Sequence, residues 1–363
     1  MKKLMVVVGT RPNFIKVTRI KQVAKERGGW SVQLVHTGQH FDDRMSTVFF
    51  DQFGLVPDHW LEIPPGSPNS QMAHIMLGLE QRIAKDRPHL MMVVGDVNST
   101  LAAALTANKM GIRLVHLESG LRSRDMGMPE EINRILTDRI TDAFLVTEQS
   151  GIDNLIAEGV EADRIHFTGN TMIDALVAFD DRIQASSVLG ELGLGNGGHV
   201  LMTIHRPATV DDRDGLKRLV DLVATVAADH PVVFPVHPRT MGNLERFGLY
   251  DTLVNIKGVH LSGPMDYFSF QKLVATCAFV ITDSGGIQEE TTFRRIPCLT
   301  VRPNTERPVT VTEGTNELIT FDLDALRAAI ERIHGGRFKQ GRIPHLWDGH
   351  STERVFDALD RIP

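Results

Sequence analysis

Cysteine is nearly absent: Cys277 and Cys298 are the only two in 363 residues. A dense disulfide framework is thereby excluded, and no Cys-x-x-Cys redox or zinc signature exists, so both thiols are expected to be buried and reduced. Long apolar runs are also missing. None approaches the roughly 20 residues needed to cross a bilayer, so no membrane insertion is expected. The opening MKKLMVVVGTRP passes from two lysines straight into a strand-like run and a Gly-Thr-Arg-Pro turn without a cleavage region, which favours the cytoplasm. Positive charge is not in excess, since 39 Lys and Arg face 45 Asp and Glu for a formal net charge of -6. This balance argues against a broad nucleic-acid surface and leaves room for a local basic pocket. Short-period repeats and low-complexity tracts are lacking too.

What is present is an ordinary globular composition, 42% apolar and 23% charged, in a chain long enough for two domains. Short, nearly continuous apolar runs occur at 4–9, 32–36, 90–95, 112–116, 143–147 and 165–169, separated by longer mixed segments such as STLAAALTANKM. Runs of that kind suit parallel strands covered on both faces, with helices between them. After LGELGLGNGGHV at 189–200, whose five glycines suit a domain connection or an exposed turn, the pattern restarts at 200–205, 231–237, 259–261, 278–282, 296–301 and 316–320. The expectation is two α/β domains, each with a parallel sheet, divided as 1–170 and 171–363. The final STERVFDALDRI reads as an amphipathic helix with Val355, Phe356, Leu359 and Ile362 on one face.

In open parallel sheets ligands collect beyond the C-terminal strand ends. Four groups of residues occupy such positions. GTRPNFIK at 9–16 offers Arg11 and Lys16 to an anion, although it lacks the spacing of a P-loop. ITDSGGIQEE at 281–290 runs a strand into Ser284, Gly285 and Gly286 and then into a helix, a turn whose backbone N–H groups suit phosphate, and TERP adds Arg307. Asp96 in GDVNST and Glu118 in HLESGLRS follow successive strands, while MPEEINR brings Glu130, Glu131 and Arg134 close together. Carboxylates in unequal environments can divide acid and base work. His205 in TIHRP and His237 in PVHPRT end two strands of the second series, where a histidine can transfer protons or contact a diphosphate. No compact metal-ligand motif appears.

In order and coverage these segments resemble the non-hydrolysing UDP-N-acetylglucosamine 2-epimerases: GTRPNFIK, GDVNSTLA, HLESGLRS, MPEEINR, TGNTMIDAL, TIHRP, PVHPRT, PMDYFSFQKL, DSGGIQEE and TERPVTVTEGT, followed by DGHSTERVFDAL. The resemblance implies a GT-B fold, two facing Rossmann-like domains with the nucleotide sugar in the intervening cleft, a final helix crossing back to the first domain, and a homodimer. It implies inversion at C2 of UDP-N-acetylglucosamine to give UDP-N-acetylmannosamine, by elimination of UDP to 2-acetamidoglucal and readdition, with no cofactor and no metal. By position, Asp96, Glu118, Glu130 and His205 are then the catalytic set, with no individual base or acid assigned. Arg11, Lys16 and Arg134 fall to the substrate's charge. His237, Ser284, Gly285, Gly286 and Arg307 fall to the nucleotide, with Glu290 at the ribose and Phe270 bounding the uracil.

Two stretches depart from the family pattern. Asn13 follows Gly-Thr-Arg-Pro where relatives often carry Glu, and Pro207 and Ala208 follow His-Arg where relatives commonly carry Arg-Glu or Glu-Asn. The exact substrate therefore stays open to a related UDP-diacetamido-uronic acid, and the outcome to hydrolysis. A GT-B glycosyltransferase and a non-catalytic nucleotide-sugar sensor are the other readings.

Overall fold

A computed structural model describes residues 1–38, 50 and 52–362. The chain divides into two compact units, Met1–Ala178 with His345–Pro363, and Phe179–Pro344. In the first, strands β1 (Lys2–Val8), β2 (Trp30–His36), β3 (His59–Trp60), β4 (Leu90–Val94), β5 (Arg113–Leu117), β6 (Ala143–Val146) and β7 (Ile165–Phe167) form one parallel sheet in the order β3-β2-β1-β4-β5-β6-β7. In the second, β8 (Val200–Thr203), β9 (Val232–Pro235), β10 (Val259–Ser262), β11 (Phe279–Thr282), β12 (Cys298–Val301) and β13 (Asn316–Ile319) form another, in the order β10-β9-β8-β11-β12-β13. The strand order reverses between β1 and β4 and between β8 and β11. At each reversal the connecting helices go to opposite faces, which leaves a crevice outside the carboxyl ends of those two strands.

The apolar runs explain the sheets. Leu4 to Val8 and Leu90 to Val94 are buried throughout, as strands covered by helices on both faces must be. Every strand expected from such a run is present, shifted at its ends by one or two residues. Gly95 and Gly169 end two of them early, because both adopt positive φ and turn the chain out of the sheet. Only the two-residue edge strand His59–Trp60 had no expectation behind it, being too short to carry a period. The glycine-rich stretch 189–200 lies inside the second unit. Gly193, Gly195, Gly197 and Gly198 take positive φ there, and a Cβ on Gly197 would come 2.4 Å from the Thr276 carbonyl oxygen, so the glycines serve a tight turn into β8.

By packing, the chain divides after Ala178, because helix Thr171–Ala178 is covered by the returning C-terminal segment. Helix Ser351–Arg361 buries Val355, Phe356 and Leu359 on one face. Its first turn is satisfied by Asp174, which accepts hydrogen bonds from Ser351 N at 3.0 Å, Thr352 N at 2.5 Å and Thr352 Oγ1 at 2.6 Å. Burial pushes the Asp174 carboxyl up, against those donors. Trp347 Nε1 donates to the Thr147 carbonyl at 3.0 Å, and Trp30 Nε1 to Asp360 at 2.7 Å. Cys277 and Cys298 are free and buried. Among the described residues no helix is long and apolar enough to cross a membrane.

Asp174→Ala strands two backbone N–H groups at a buried helix start, at a cost of about 3 kcal/mol. The melting temperature should fall, and amide exchange at Ser351 and Thr352 should accelerate. Unchanged protection at those two amides would show that the tail is held by its apolar face alone.

Candidate active site

In the first unit the chain leaves β1 through Gly9, where a Cβ would lie 2.1 Å from Ser99 Oγ, so the loop runs hard against the start of helix Asn98–Lys109. Pro12 then opens a short helix, Arg11–Ile15, with Arg11 half-buried at its first position. Asn13 Nδ2 donates to the Val94 carbonyl at 3.2 Å, and the Lys16 ammonium reaches the Glu118 carboxylate, both of them buried. Gly95 follows β4 at φ 63°. A Cβ there would stand 2.9 Å from Asn13 Nδ2, 3.6 Å from Lys16 Nζ and 3.8 Å from Glu118 Oε2. The first unit thus brings Lys16, Gly95 and Glu118 together, with Asp96 on the adjacent residue. Glu118 has φ 70°, a left-handed conformation unusual for a side chain of its size.

Asp96 is paired with Arg134, whose Nη2 lies 2.5 Å from Asp96 Oδ2, while Arg134 Nη1 lies 2.6 Å from Glu131 Oε2. Glu131 also accepts from Ser123 N, Ser123 Oγ and Arg124 N at 2.9, 3.0 and 2.8 Å. Burial would raise the Glu131 carboxyl, but those N–H groups and Arg134 outweigh it and hold it below the usual range. Glu131 is thus an ionised anchor that orients Arg134 toward Asp96. Asn133 Nδ2 secures the Asp96 carbonyl at 2.9 Å. Glu130, one residue earlier on helix Pro129–Arg139, is exposed and stands outside this network.

In the second unit His205 follows β8 and Asp283 follows β11, the two strands that flank the reversal. His205 Nδ1 lies 2.7 Å from Asp283 Oδ1. Asp283 Oδ2 accepts from the backbone N–H groups of His205 and Arg206 at 2.9 and 2.7 Å. Burial alone would raise the Asp283 carboxyl; the His205 ring and these two amides lower it instead. An ionised, fully buried partner at Nδ1 leaves Nε2 as the free position of a ring whose side chain is 39% exposed. The ring of His237 is 5.6 Å away between centroids, and its Nδ1 accepts from Arg239 N at 3.1 Å at the start of helix Pro238–Arg246.

Ser284 occupies the N-cap position of helix Gly285–Arg294 without a capping side-chain hydrogen bond, so the expected Ser-Gly-Gly turn opens a helix at its N–H end. A Cβ on Gly285 would come 2.6 Å from both Arg307 Nη1 and Glu306 Oε1, so glycine is needed for that approach. Arg307 is buried and paired with Glu289, at 2.9 Å from Nε, and with Glu306, which also meets Arg302 Nη2 at 2.8 Å. Glu290 is buried on the same helix, and Phe270 is a half-buried member of helix Tyr267–Thr276. Among the described residues no group of three His, Cys, Asp or Glu side chains could hold a metal ion.

Sequence reasoning passed over Asp283, Glu289 and Glu306; it named Glu130, Glu131 and Arg134 together and assigned Glu130 to the catalytic set. The Glu131–Arg134 pair carried a local signal, because residues three apart share a helix face. Asp283 ends a strand beside Ser284 and carried the same positional cue as Asp96.

Comparison with known proteins places the chain in a family. A family model described as UDP-N-acetylglucosamine 2-epimerase matches residues 22–360. The chain is 35% identical to the UDP-N-acetylglucosamine 2-epimerase of Methanocaldococcus jannaschii, with 98% of each chain covered. It is 40% identical to the UDP-2,3-diacetamido-2,3-dideoxy-D-glucuronate 2-epimerase of Pseudomonas aeruginosa, covering 99% of this chain and 100% of that one. The crystal structure of the M. jannaschii enzyme in complex with UDP-GlcNAc and UDP superposes with a TM-score of 0.90 at 34% identity over 99% of both chains. The Neisseria meningitidis UDP-GlcNAc 2-epimerase bound to UDP-GlcNAc gives 0.89 at 26% identity, covering 99% of this chain and 100% of that one. Two parallel sheets with alternating helices, matched over the whole chain, are those of the GT-B class, and the chain belongs to the UDP-N-acetylglucosamine 2-epimerase family.

Proposed function

We propose that the protein interconverts UDP-N-acetylglucosamine and UDP-N-acetylmannosamine without net hydrolysis. The observation that carries this reading is a pair of carboxylates at neighbouring strand ends, each matched to its own cation: Asp96 to Arg134 and Glu118 to Lys16. The C2 proton of the sugar has no adjacent carbonyl and is weakly acidic, so its removal has to be coupled to loss of the anomeric substituent. A base takes the C2 proton, the C–H electron pair becomes the C1–C2 double bond, and UDP departs with the C1–O electrons. Return of a proton to the opposite face of C2 and of the UDP oxygen to C1 gives the epimer.

Two faces call for two proton-transfer groups whose acidities permit repeated exchange. Asp96, Glu118, Glu130 and His205 are assigned to proton transfer and charge stabilisation as a set. His205 is suited by its Asp283 partner, which keeps Nε2 available. Lys16, Arg11 and Arg134 offset negative charge. Ser284, Gly285 and Gly286 meet phosphate through backbone N–H groups, with His237 and Arg307 beside them; Glu290 receives the ribose hydroxyls, and Phe270 bounds the base. Retaining UDP through the glucal stage favours readdition, because a held fragment has a high effective concentration.

One observation favours a second substrate, UDP-2,3-diacetamido-2,3-dideoxy-glucuronate: the 40% identity with the P. aeruginosa enzyme. The C2 chemistry is the same, and the added carboxylate would require one more cation. We also infer a homodimer in the cytoplasm. Leu77, Ile132 and Leu136 are exposed on two helices that both flank helix Asn98–Lys109, a surface suited to a second copy. Light scattering should give twice the 40.3 kDa chain mass, and a monomer at assay concentration would refute the dimer.

Incubation with each UDP-sugar in deuterated water, followed by NMR, separates these readings. Deuterium should appear at C2 of both epimers of N-acetylglucosamine; turnover without C2 exchange rules out this route, free sugar with UDP marks a hydrolase, and faster conversion of the uronate transfers the assignment to it. Asp96→Asn should lower kcat by at least about 100-fold while KM changes by a small factor. Near-normal turnover would remove Asp96 from the catalytic set.

A further inference from the structure

Behind the two carboxylates of the first unit lies a second polar network that the reaction does not consume. His116, on β5 two residues before Glu118, is fully buried. Its Nδ1 lies 2.6 Å from Asp138 Oδ1 and its Nε2 lies 2.8 Å from the Gly95 carbonyl oxygen. Asp138 Oδ2 accepts from Gly120 N at 3.1 Å and lies 2.7 Å from Arg122 Nη1. Arg122 in turn makes a two-pronged contact with Glu158, at 2.8 Å from both Nε and Nη2.

The connectivity matters more than any single bond. Asp138 grips the chain on both sides of Glu118, through the His116 side chain before it and the Gly120 amide after it. Glu118 is the residue between them that occupies the left-handed region, an unfavourable conformation that persists only where its surroundings over-determine it. Through its other nitrogen His116 holds the carbonyl of Gly95, the residue before Asp96, while Gly95 N donates to the Leu117 carbonyl at 3.0 Å. One buried pair therefore ties the Asp96 turn to the Glu118 turn.

Hydrogen counting describes the pair further. A carbonyl oxygen only accepts, so Nε2 donates to Gly95. Asp138 already takes two donors on its other oxygen. Burial alone would raise its carboxyl, yet the His116 ring and the Arg122 guanidinium outweigh burial and hold it below the usual range. Its Oδ1 faces Nδ1 of His116 at 2.6 Å. Both ring nitrogens are engaged and the ring has no exposed edge, so it cannot reach substrate.

We propose that the Asp138–His116 pair is the positioning device of the first unit, holding Glu118 in its left-handed conformation and fixing the Gly95–Asp96 turn beside it. This rests on the C2 epimerisation proposed above. Asp138→Asn and His116→Gln should each lower kcat for UDP-N-acetylglucosamine by about 100-fold, the scale of a misplacement near 1 Å. KM should stay within about threefold, because the groups assigned to UDP lie in the other unit. A kcat within twofold of the parent in both variants overturns the proposal, as does a KM that rises in step with the loss.

Amide exchange at Gly95, Glu118 and Gly120 reads the clamp without turnover. Protection should drop at these three in either variant while that of Met91 to Val93 persists, and unchanged protection overturns the clamp. Should a variant fail to fold, nitrogen-15 NMR of the histidine-labelled parent decides: an Nε2–H on His116 protected from exchange supports the clamp on Gly95, and a bare Nε2 overturns it. A parent with no epimerase activity but that Nε2–H present and protected refutes the proposed reaction and leaves the clamp standing.

Discussion

Removing a carboxylate from water is among the most expensive operations in folding, and it succeeds only where cations or N–H donors replace the lost hydration. Much of this protein is organised around that constraint. Glu118 is buried against Lys16, Glu131 against Arg134 and two backbone amides, and Asp138 against His116 and Arg122. Asp283 is held by His205 and two amides, Glu289 and Glu306 by Arg307 and Arg302, and Asp174 by the first turn of the C-terminal helix. Each of these acids joins segments far apart in the chain or secures a loop at a strand end. Breaking one partner leaves a buried charge uncompensated, so the arrangement is stiff.

In the reaction proposed above, proton transfer to alternate faces of one carbon demands stiffness. A base and an acid that wander lose the alignment on which their rate depends. The first unit meets this with two tiers. Asp96, Glu118, Lys16 and Arg134 form the upper one, and Glu131, His116, Asp138 and Arg122 support it from beneath. The second unit repeats the principle with different parts, where Asp283 orients His205 and the Glu289–Arg307–Glu306 cluster backs the Ser284–Gly286 turn.

Legibility of the site from sequence differed by residue for physical reasons. Asp96, Glu118, His205 and Ser284 were visible because each follows an apolar strand, and strand ends are where a parallel sheet presents its chemistry. Glu130 and Glu131 are adjacent and chemically equal, so composition does not separate them; only the 100° step between consecutive helical residues sends Glu131 inward to Arg134 and leaves Glu130 in solvent. The pairing of Lys16 with Glu118 spans 102 residues and that of His205 with Asp283 spans 78. No local pattern encodes either one.

By itself the sequence determined the α/β class, the strands, the loops that carry reactive groups and the family, because these follow from short-range periodicity and from motifs kept in order along the chain. The tertiary structure alone decided which charged group meets which. Strand order sets β1, β4 and β5 side by side in the first sheet and β8 beside β11 in the second, helix phase decides which of two neighbouring acids turns inward, and the scarcity of water at those positions forces each buried charge to find a partner. Pairing is a property of distance in space, and distance in space is fixed only after the sheets have closed.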